Sequence, residues 1–464
     1  MEISKGQPSP NEEEEAGNWL RLLSCFLFPL FLSVLISLLY RPLKTQLMAE
    51  EYLDLARQSS DVPSSLLRPP GYVAFLHFIN VVSGGINLDR LAPVYIGQGV
   101  VLGLATVAWY ITVCRWLAAL PAWLMALAFG CNPLVVAMVG YIHYDILHLG
   151  MSVLTGLLLV WTFANNPVHP RRAILAGITC GTLTLIRPMT LIEPAFLALA
   201  LGLLAWRTRS HGVWLAWAAF SFAMIATIAP RTWSNYARTG RFMPVNAQTM
   251  AALWPMLEKP IKQDSNSFPW TYLWINCGRP LLEKQVGAAA FDINYLTSHP
   301  LVVEDVFAAR IRELIHTRAS VYLSNLAHNA LFFWSGDSRM IIRAFVSLQD
   351  RNIYVIQPAW AIGFLIVSSA LLHVCGALGL VLGLWRRDPT VTILASLFIC
   401  LWFAHSMVYL DFRYLYVKFP FLFWFTGYLM GECFKTSSSG KKNVIWISAA
   451  FAMSSLLGTA LLVF

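Results

Sequence analysis

The sequence predicts an all-α polytopic membrane protein, a transmembrane bundle of about eleven helices (range roughly 10–13) with short interfacial helices in its outer loops. Three observations carry this expectation. Of the 464 residues, 57% are apolar and only 12% charged, a balance foreign to a water-soluble globule. The apolar residues fall in uninterrupted runs near the roughly 20 needed to cross a bilayer. Lys and Arg gather in the loops between those runs.

Residues 1–18, with Glu12, Glu13, Glu14 and Glu15, are acidic and lack an apolar face, which predicts a disordered tail. Neither a basic start nor a small-residue cleavage site follows, so the first span is expected to stay as an anchor. Residues 19–464 then read as one transmembrane domain. Its spans are predicted at 19–40, 91–113, 117–140, 146–164, 173–186, 191–206, 213–229, 353–384, 390–409, 415–434 and 443–463. Neither a compositionally separate soluble domain nor an internal repeat is visible.

Two polar segments break the rhythm. Outer loop 41–90 contains a short amphipathic helix and, from Gly71 to Val82, a candidate shallow or re-entrant helix. The long outer loop 231–352 carries Trp254, Trp270, Trp274 and Trp334 and an amphipathic run from Leu301 to Leu314. Residues 321–334 are apolar but too short to cross, which predicts a helix in or under the interface. Such a loop is expected to cover a lateral opening for a lipid tail.

The net charge of +9 would suggest nucleic acid in a soluble protein. Here topology and anionic lipid account for it, and nucleic acid is not an expected partner. With the N-terminus inside, the inner loops hold Arg115, Arg171, Arg172, Arg207, Arg209, Arg386, Arg387, Lys435, Lys441 and Lys442. This follows the positive-inside rule at five successive loops and predicts a multi-pass protein of the inner or plasma membrane with a cytoplasmic N-terminus. The first outer loop departs from the rule with Arg41, Lys44, Arg57, Arg68 and Arg90, which an anionic ligand would explain. The eight cysteines are scattered, with Cys277 in the long loop, and form neither a disulfide framework nor a metal-like spacing.

The polar groups then crowd the outer face. On a helix through 48–58, Met48, Tyr52, Leu55 and Ala56 share one face, while Glu50, Asp54 and Arg57 lie opposite, spaced for ordinary helix pairing. Glu51 falls on the border, where partial desolvation suits a general base. Asp145 stands one turn into the fourth span with His143 and His148 nearby, facing either headgroups or a cavity. Two histidines five apart do not make a metal site; a divalent metal is conceivable but not indicated. Arg187, amid LTLI and MTLI, needs a counter-charge, either a phosphate or Glu193. Arg231 and Arg413 raise the same question, with Asp411 as the local partner of Arg413.

The ordered motifs resemble the GT-C glycosyltransferases, in particular the protein mannosyltransferase and lipid A aminoarabinose transferase branch. The likeness lies in EEYLDLAR…LRPPGYVAFL, NPLVVAMVGYIHYD, AGITCGTLTLIRPMTL, APRTWSNYARTGRFMPV, YLTSHPLVV and DFRYLYVKFPFLF, spanning roughly residues 20 to 434. It implies an inverting transfer of a sugar from a polyprenyl-phosphate donor to a glycan, lipid or protein acceptor at an outer, periplasmic or lumenal, active site. A loop carboxylate would deprotonate the acceptor while arginines hold the leaving phosphate. Asp145 matches the second acidic position, Arg187 the Arg-Pro arginine and Arg413 the late Arg-Tyr arginine; Arg68 and Arg231 are further phosphate ligands. Tyr52, Tyr72, His143 and Asn235 are the expected substrate-positioning residues. The family's loop aspartate, four residues before the tyrosine, is Met48 here, so Glu51, with Glu50 next, is expected to serve as the base. Two other readings remain open at this level: a transporter or flippase of lipid-linked sugars, and an inactive relative that binds polyprenyl lipid.

Overall fold

The computed structural model describes residues 10–40, 47–57, 68–86, 90–164, 168–187, 192–246, 253–258, 278–287, 299–335, 359–407, 412–433, 435 and 438–463. All of its regular elements are helices. They are α1 (Pro10–Tyr40), α2 (Leu47–Arg57), α3 (Pro70–Ser83), α4 (Ala92–Val113), α5 (Ala119–Gly130), α6 (Pro133–Val139), α7 (Asp145–Phe163), α8 (Pro170–Ile186), α9 (Ile192–Thr208) and α10 (His211–Thr239). There follow α11 (Pro255–Glu258), α12 (Arg279–Val286), α13 (Pro300–Thr317), α14 (Ala319–Ser335), α15 (Ala359–Trp385), α16 (Pro389–Met407), a 3₁₀ helix (Phe412–Lys418), α17 (Phe419–Cys433) and α18 (Ser438–Val463).

The chain is an integral membrane protein. Among the described residues six helices are long and apolar enough to cross a bilayer (α1, α4, α7, α10, α15 and α16), and the pair α5 and α6 makes a seventh if counted as one span. Four more of the eleven predicted spans are helices, α8, α9, α17 and α18, without meeting that length and composition test.

Three expectations need adjustment. The span predicted at 117–140 is broken by 53° between α5 and α6, because Pro133 cannot continue the helix and Asn132 starts a new one, its Oδ1 accepting from Leu134 N. Helix α1 already begins at Pro10, so Glu12 to Glu15 lie in its first turns rather than in a separate coil. Helix α10 continues through Pro230 to Thr239, so Arg231 and Asn235 sit on a spanning helix and not in the following loop. Proline is tolerated inside membrane helices because neighbours re-satisfy the freed backbone groups.

Small residues set the helix spacing. A Cβ at Gly177 of α8 would fall 2.3 Å from the Phe220 carbonyl oxygen of α10, so the two backbones meet only because that side chain is absent. Gly71 does the same for the loop. A Cβ there would lie 3.0 Å from the Ile186 backbone nitrogen, which brings the Arg68–Tyr72 stretch against the end of α8, one residue from Arg187. The apolar core holds Trp109 stacked on Trp424 at 6.4 Å, with the Trp109 indole donating to the Pro420 carbonyl at 2.9 Å. Trp19, Trp206, Trp385 and Trp446 are exposed, each within four positions of a basic residue in the sequence, as expected of indoles at a membrane interface.

Candidate active site

Helix α2 buries Tyr52, Leu53, Leu55 and Ala56 and leaves Asp54 in solvent, which is the face division read from the sequence. It is pinned to α3 and to the segment that follows it. Arg57 donates to the Ile86 carbonyl at 2.7 and 3.0 Å, and His77 Nδ1 meets the Ala56 carbonyl at 2.8 Å. Asp54 and Arg57 form the expected i,i+3 pair at 3.2 Å. The side chains of Met48, Glu50 and Arg413 lie outside the described residues, as does Asp411.

Glu51, the expected base, faces Arg68 in a fork. Arg68 Nε donates to one carboxylate oxygen at 2.8 Å, and a second guanidinium nitrogen donates to the other. Burial disfavours the charge on Arg68, but the hydrogen bond with Glu51 more than offsets it and holds the guanidinium firmly protonated. The guanidinium lies over the Tyr52 ring at 5.4 Å. The loop arginine and the loop carboxylate, read as separate functional groups, are thus one pair.

Behind this pair lies a buried aromatic and polar cluster. Tyr52 meets Tyr72 edge-on at 5.1 Å and His143 edge-on at 6.0 Å. The Tyr72 hydroxyl donates to Gln98 Oε1 at 3.0 Å, and Gln98 Nε2 donates to the carbonyls of Val139 and Tyr141 at 2.6 and 3.0 Å. One glutamine of α4 therefore fixes both the loop tyrosine and the turn that precedes α7. In that turn His143 Nδ1 meets Asp145 Oδ2 at 2.7 Å, and both side chains are less than 5% exposed. Asp145 faces the protein interior and not headgroups. The His143 ring is 3.8 Å from that of Tyr144, over which the Arg187 guanidinium lies at 5.8 Å.

The cluster continues inward. His148 of α7 is buried with its ring 6.0 Å from that of His405, near the end of α16. His405 Nδ1 is 2.6 Å from the Leu401 carbonyl and 3.6 Å from Glu193 Oε1. Since a carbonyl only accepts, Nδ1 carries the proton there. Arg187 and Glu193 are each 1% exposed, an expensive burial for ionisable groups in a membrane bundle.

Two expected residues stand elsewhere. Arg231 Nε donates to the Val245 carbonyl at 3.2 Å, and Asn235 Nδ2 donates to the carbonyls of Met243 and Val245 at 2.9 and 3.0 Å. With Thr232 donating to the Pro244 carbonyl at 2.9 Å, they fold residues 241–245 back along α10 after the left-handed Gly240. The Asn amide thus holds backbone. Beside this return runs an apolar groove of about 760 Å³, lined by Met224, Ile225, Ile228, Trp233, Tyr236 and Phe242 among others.

Gln98 and His405 were not singled out in the sequence, although each is a lone polar residue within an apolar span, and that is a usable signal. Among the described residues no group of three or more His, Cys, Asp or Glu side chains is arranged to hold a metal ion.

No family model and no curated protein matches the sequence. Solved structures do match its fold. The oligosaccharyltransferase of Archaeoglobus fulgidus in complex with Zn and sulfate aligns over 94% of this chain and 53% of its own, at 12% identity and a TM-score of 0.51. The same enzyme tethered with an acceptor peptide containing the NVT sequon aligns over 95% and 55%, at 12% identity and a TM-score of 0.50. This is the GT-C fold. ArnT from Cupriavidus metallidurans bound to undecaprenyl phosphate aligns over 87% of this chain and 77% of its own, at 15% identity and a TM-score of 0.40. The chain spans about half the length of the oligosaccharyltransferase chains it matches.

Proposed function

We propose that this protein is an inverting glycosyltransferase that moves a sugar from a polyprenyl-phosphate donor to a glycan, glycolipid or protein acceptor. The observation that carries the reading is the closed cluster of Arg68, Arg187, Glu51 and the His143–Asp145 pair, assembled from four separate segments around Tyr52, Tyr72 and Tyr144. Two guanidiniums flank aromatic rings and carboxylates at one end of the bundle. This is the equipment for a phosphate leaving group beside a proton acceptor. The apolar groove along α10, with Arg231 on the same helix, suits the chain of a lipid carrier. The GT-C fold supports glycosyl transfer, and one solved structure of this fold holds a tethered acceptor peptide.

In this reading Arg68 and Arg187 draw the charge of the departing phosphate, with Arg231 and Arg413 reserved for the carrier. Tyr52 and Tyr72 wall the sugar site. The proton acceptor belongs to the same cluster, as Glu51 or the His143–Asp145 pair. The site end faces the periplasm or lumen, in keeping with the basic residues of the five opposite loops.

The test is mass spectrometry of glycans and glycolipids from cells lacking the protein, restored with wild type or with Arg187→Met. Loss of one sugar unit, returned by wild type and not by the variant, is the expected result. Unchanged glycans on deletion would overturn the reading.

A further inference from the structure

Two helices, α9 and α15, end alike. Each gives way to an exposed tryptophan and two arginines: Trp206, Arg207 and Arg209 in one, Trp385, Arg386 and Arg387 in the other. Both ends lie at the same end of the bundle. Helix α9 starts at the candidate site, where Glu193 faces His405 at 3.6 Å and Phe196 meets Phe403 at 5.0 Å. Helix α16, which follows α15 after a tight turn, finishes there, so α9 and α16 run antiparallel. At 1.5 Å per residue, Arg209 stands about 24 Å from Glu193 and Arg387 about 27 Å from His405. That is close to the hydrocarbon thickness of one bilayer.

Among the described residues, Arg209 and Arg387 are the two non-glycine residues with positive φ, at 51° and 56°. Each closes its helix. Arg209 N donates to the Ala205 carbonyl at 3.1 Å, Arg387 N to the Leu384 carbonyl at 3.1 Å, and Asp388 N to the Gly383 carbonyl at 3.0 Å. This left-handed position ordinarily belongs to glycine, whose missing Cβ relieves the crowding. Glycine holds it at the ends of α3 and α10, as Gly84 and Gly240.

The helix dipole does not account for the two exceptions. A cation in or next to the last turn answers the dipole, and Arg207 and Arg386 already supply one without a left-handed backbone. Pairing within the protein does not account for them either. Arg386 meets Glu432, whose other oxygen takes Lys435. The exposed Arg209 and Arg387 side chains have neither an ion pair nor a hydrogen bond among the described residues. Backbone strain kept at two equivalent places points to a contact from outside the chain that offsets it.

We infer that these two helix ends are headgroup sites for anionic phospholipids in the leaflet opposite the candidate site. Arg209 and Arg387 hold the lipid phosphate, for which the guanidinium fork is suited. Trp206 and Trp385 seat their indoles beside it at the interface. Neither arginine belongs to the candidate site, so the transferase reading stands or falls separately.

The experiment titrates the purified full-length protein with phosphatidylglycerol or phosphatidylcholine and counts bound lipid by native mass spectrometry. Wild type is compared with Arg209→Gly, Arg387→Gly, the double glycine variant and Arg312→Gln, an exposed arginine of α13. Wild type should prefer phosphatidylglycerol. Each glycine variant should lose roughly fivefold in affinity for it and the double variant about 25-fold, while Arg312→Gln binds as wild type. Because glycine suits the left-handed backbone, thermal midpoints measured without phosphatidylglycerol should equal or exceed that of wild type. Added phosphatidylglycerol should raise the wild-type midpoint more than that of the double variant. Unchanged phosphatidylglycerol affinity in the double variant, an equal loss in Arg312→Gln, or a wild type without preference between the two lipids would overturn the inference. A lowered midpoint in the glycine variants would make the arginines structural and overturn it as well.

Discussion

Among the described residues, two forks between an arginine and a glutamate join distant parts of the chain, and their surroundings differ. In one, Arg68 meets Glu51; in the other, Arg310 of α13 meets Glu258 of α11 at 2.8 and 3.0 Å. Around Glu258 every contact closes the structure. The Trp254 indole donates to its carboxylate at 2.8 Å, Arg318 donates to its backbone carbonyl, and Asn325 of α14 donates to the neighbouring Met256 carbonyl at 3.0 Å. Around Glu51 the neighbours are a tyrosine face, a buried His–Asp pair and a second arginine. The pair chemistry is the same, and it is the neighbouring residues that make one fork a joint and, in the proposed reading, the other part of a site.

That contrast can be broken by substitution. The largest effect is expected from Glu51→Gln, which leaves Arg68 unaimed and should cut transfer by about 10²-fold, mostly through a raised KM for the donor. Glu258→Gln should leave the rate per folded molecule unchanged, as steady-state kinetics with the product assay would read. Next, Gly71→Val places side-chain atoms against Ile186 and pushes the Arg68 loop away from Arg187. Transfer should fall by roughly tenfold, while hydrogen exchange in 300–317 stays as in wild type.

At the joint, Arg310→Met leaves Glu258 facing Trp254 without its cation and should cost about 1–3 kcal/mol, seen as a lower thermal midpoint with intact donor binding. Acid should act there too. Burial tends to raise the Glu258 carboxyl, but hydrogen bonds from Arg310 and Trp254 outweigh it and hold the group below the usual carboxylate range. A carboxyl lowered by folding contributes stability above its unfolded value, and that contribution is lost as pH falls through the folded value. Hydrogen exchange in 253–258 should therefore rise on acidification into and below the ordinary carboxylate range. The smallest effect is expected from Asp54→Asn. Its partner is one turn away in solvent, so stability should move by only a few tenths of a kcal/mol in chemical denaturation.

The helical membrane fold was legible because apolar runs of crossing length have few other meanings. The candidate site was legible by halves. Asp145 and Arg187 betrayed themselves as charges inside apolar sequence, and both are buried in the cluster. The Glu51–Arg68 fork left no such trace, because the two lie 17 positions apart across a loop whose path no local pattern encodes. The end of α10 was misplaced for a related reason. Pro230 and the polar TWSNYAR run look like a loop, whereas the helix persists there because residues 241–245 return along it and supply acceptors for Thr232 and Asn235.

That persistence has a mechanical consequence. A helix of 29 residues is roughly 43 Å long at 1.5 Å per residue, more than the ~30 Å of hydrocarbon in a bilayer. About 13 Å of such a helix exceeds the hydrocarbon layer, and the groove runs beside α10 from Met224 to Tyr236. In the proposed reading, a lipid carrier lying in this groove would be held near its head while most of its tail stays in the bilayer, so that the protein would grip only the first few units of the chain.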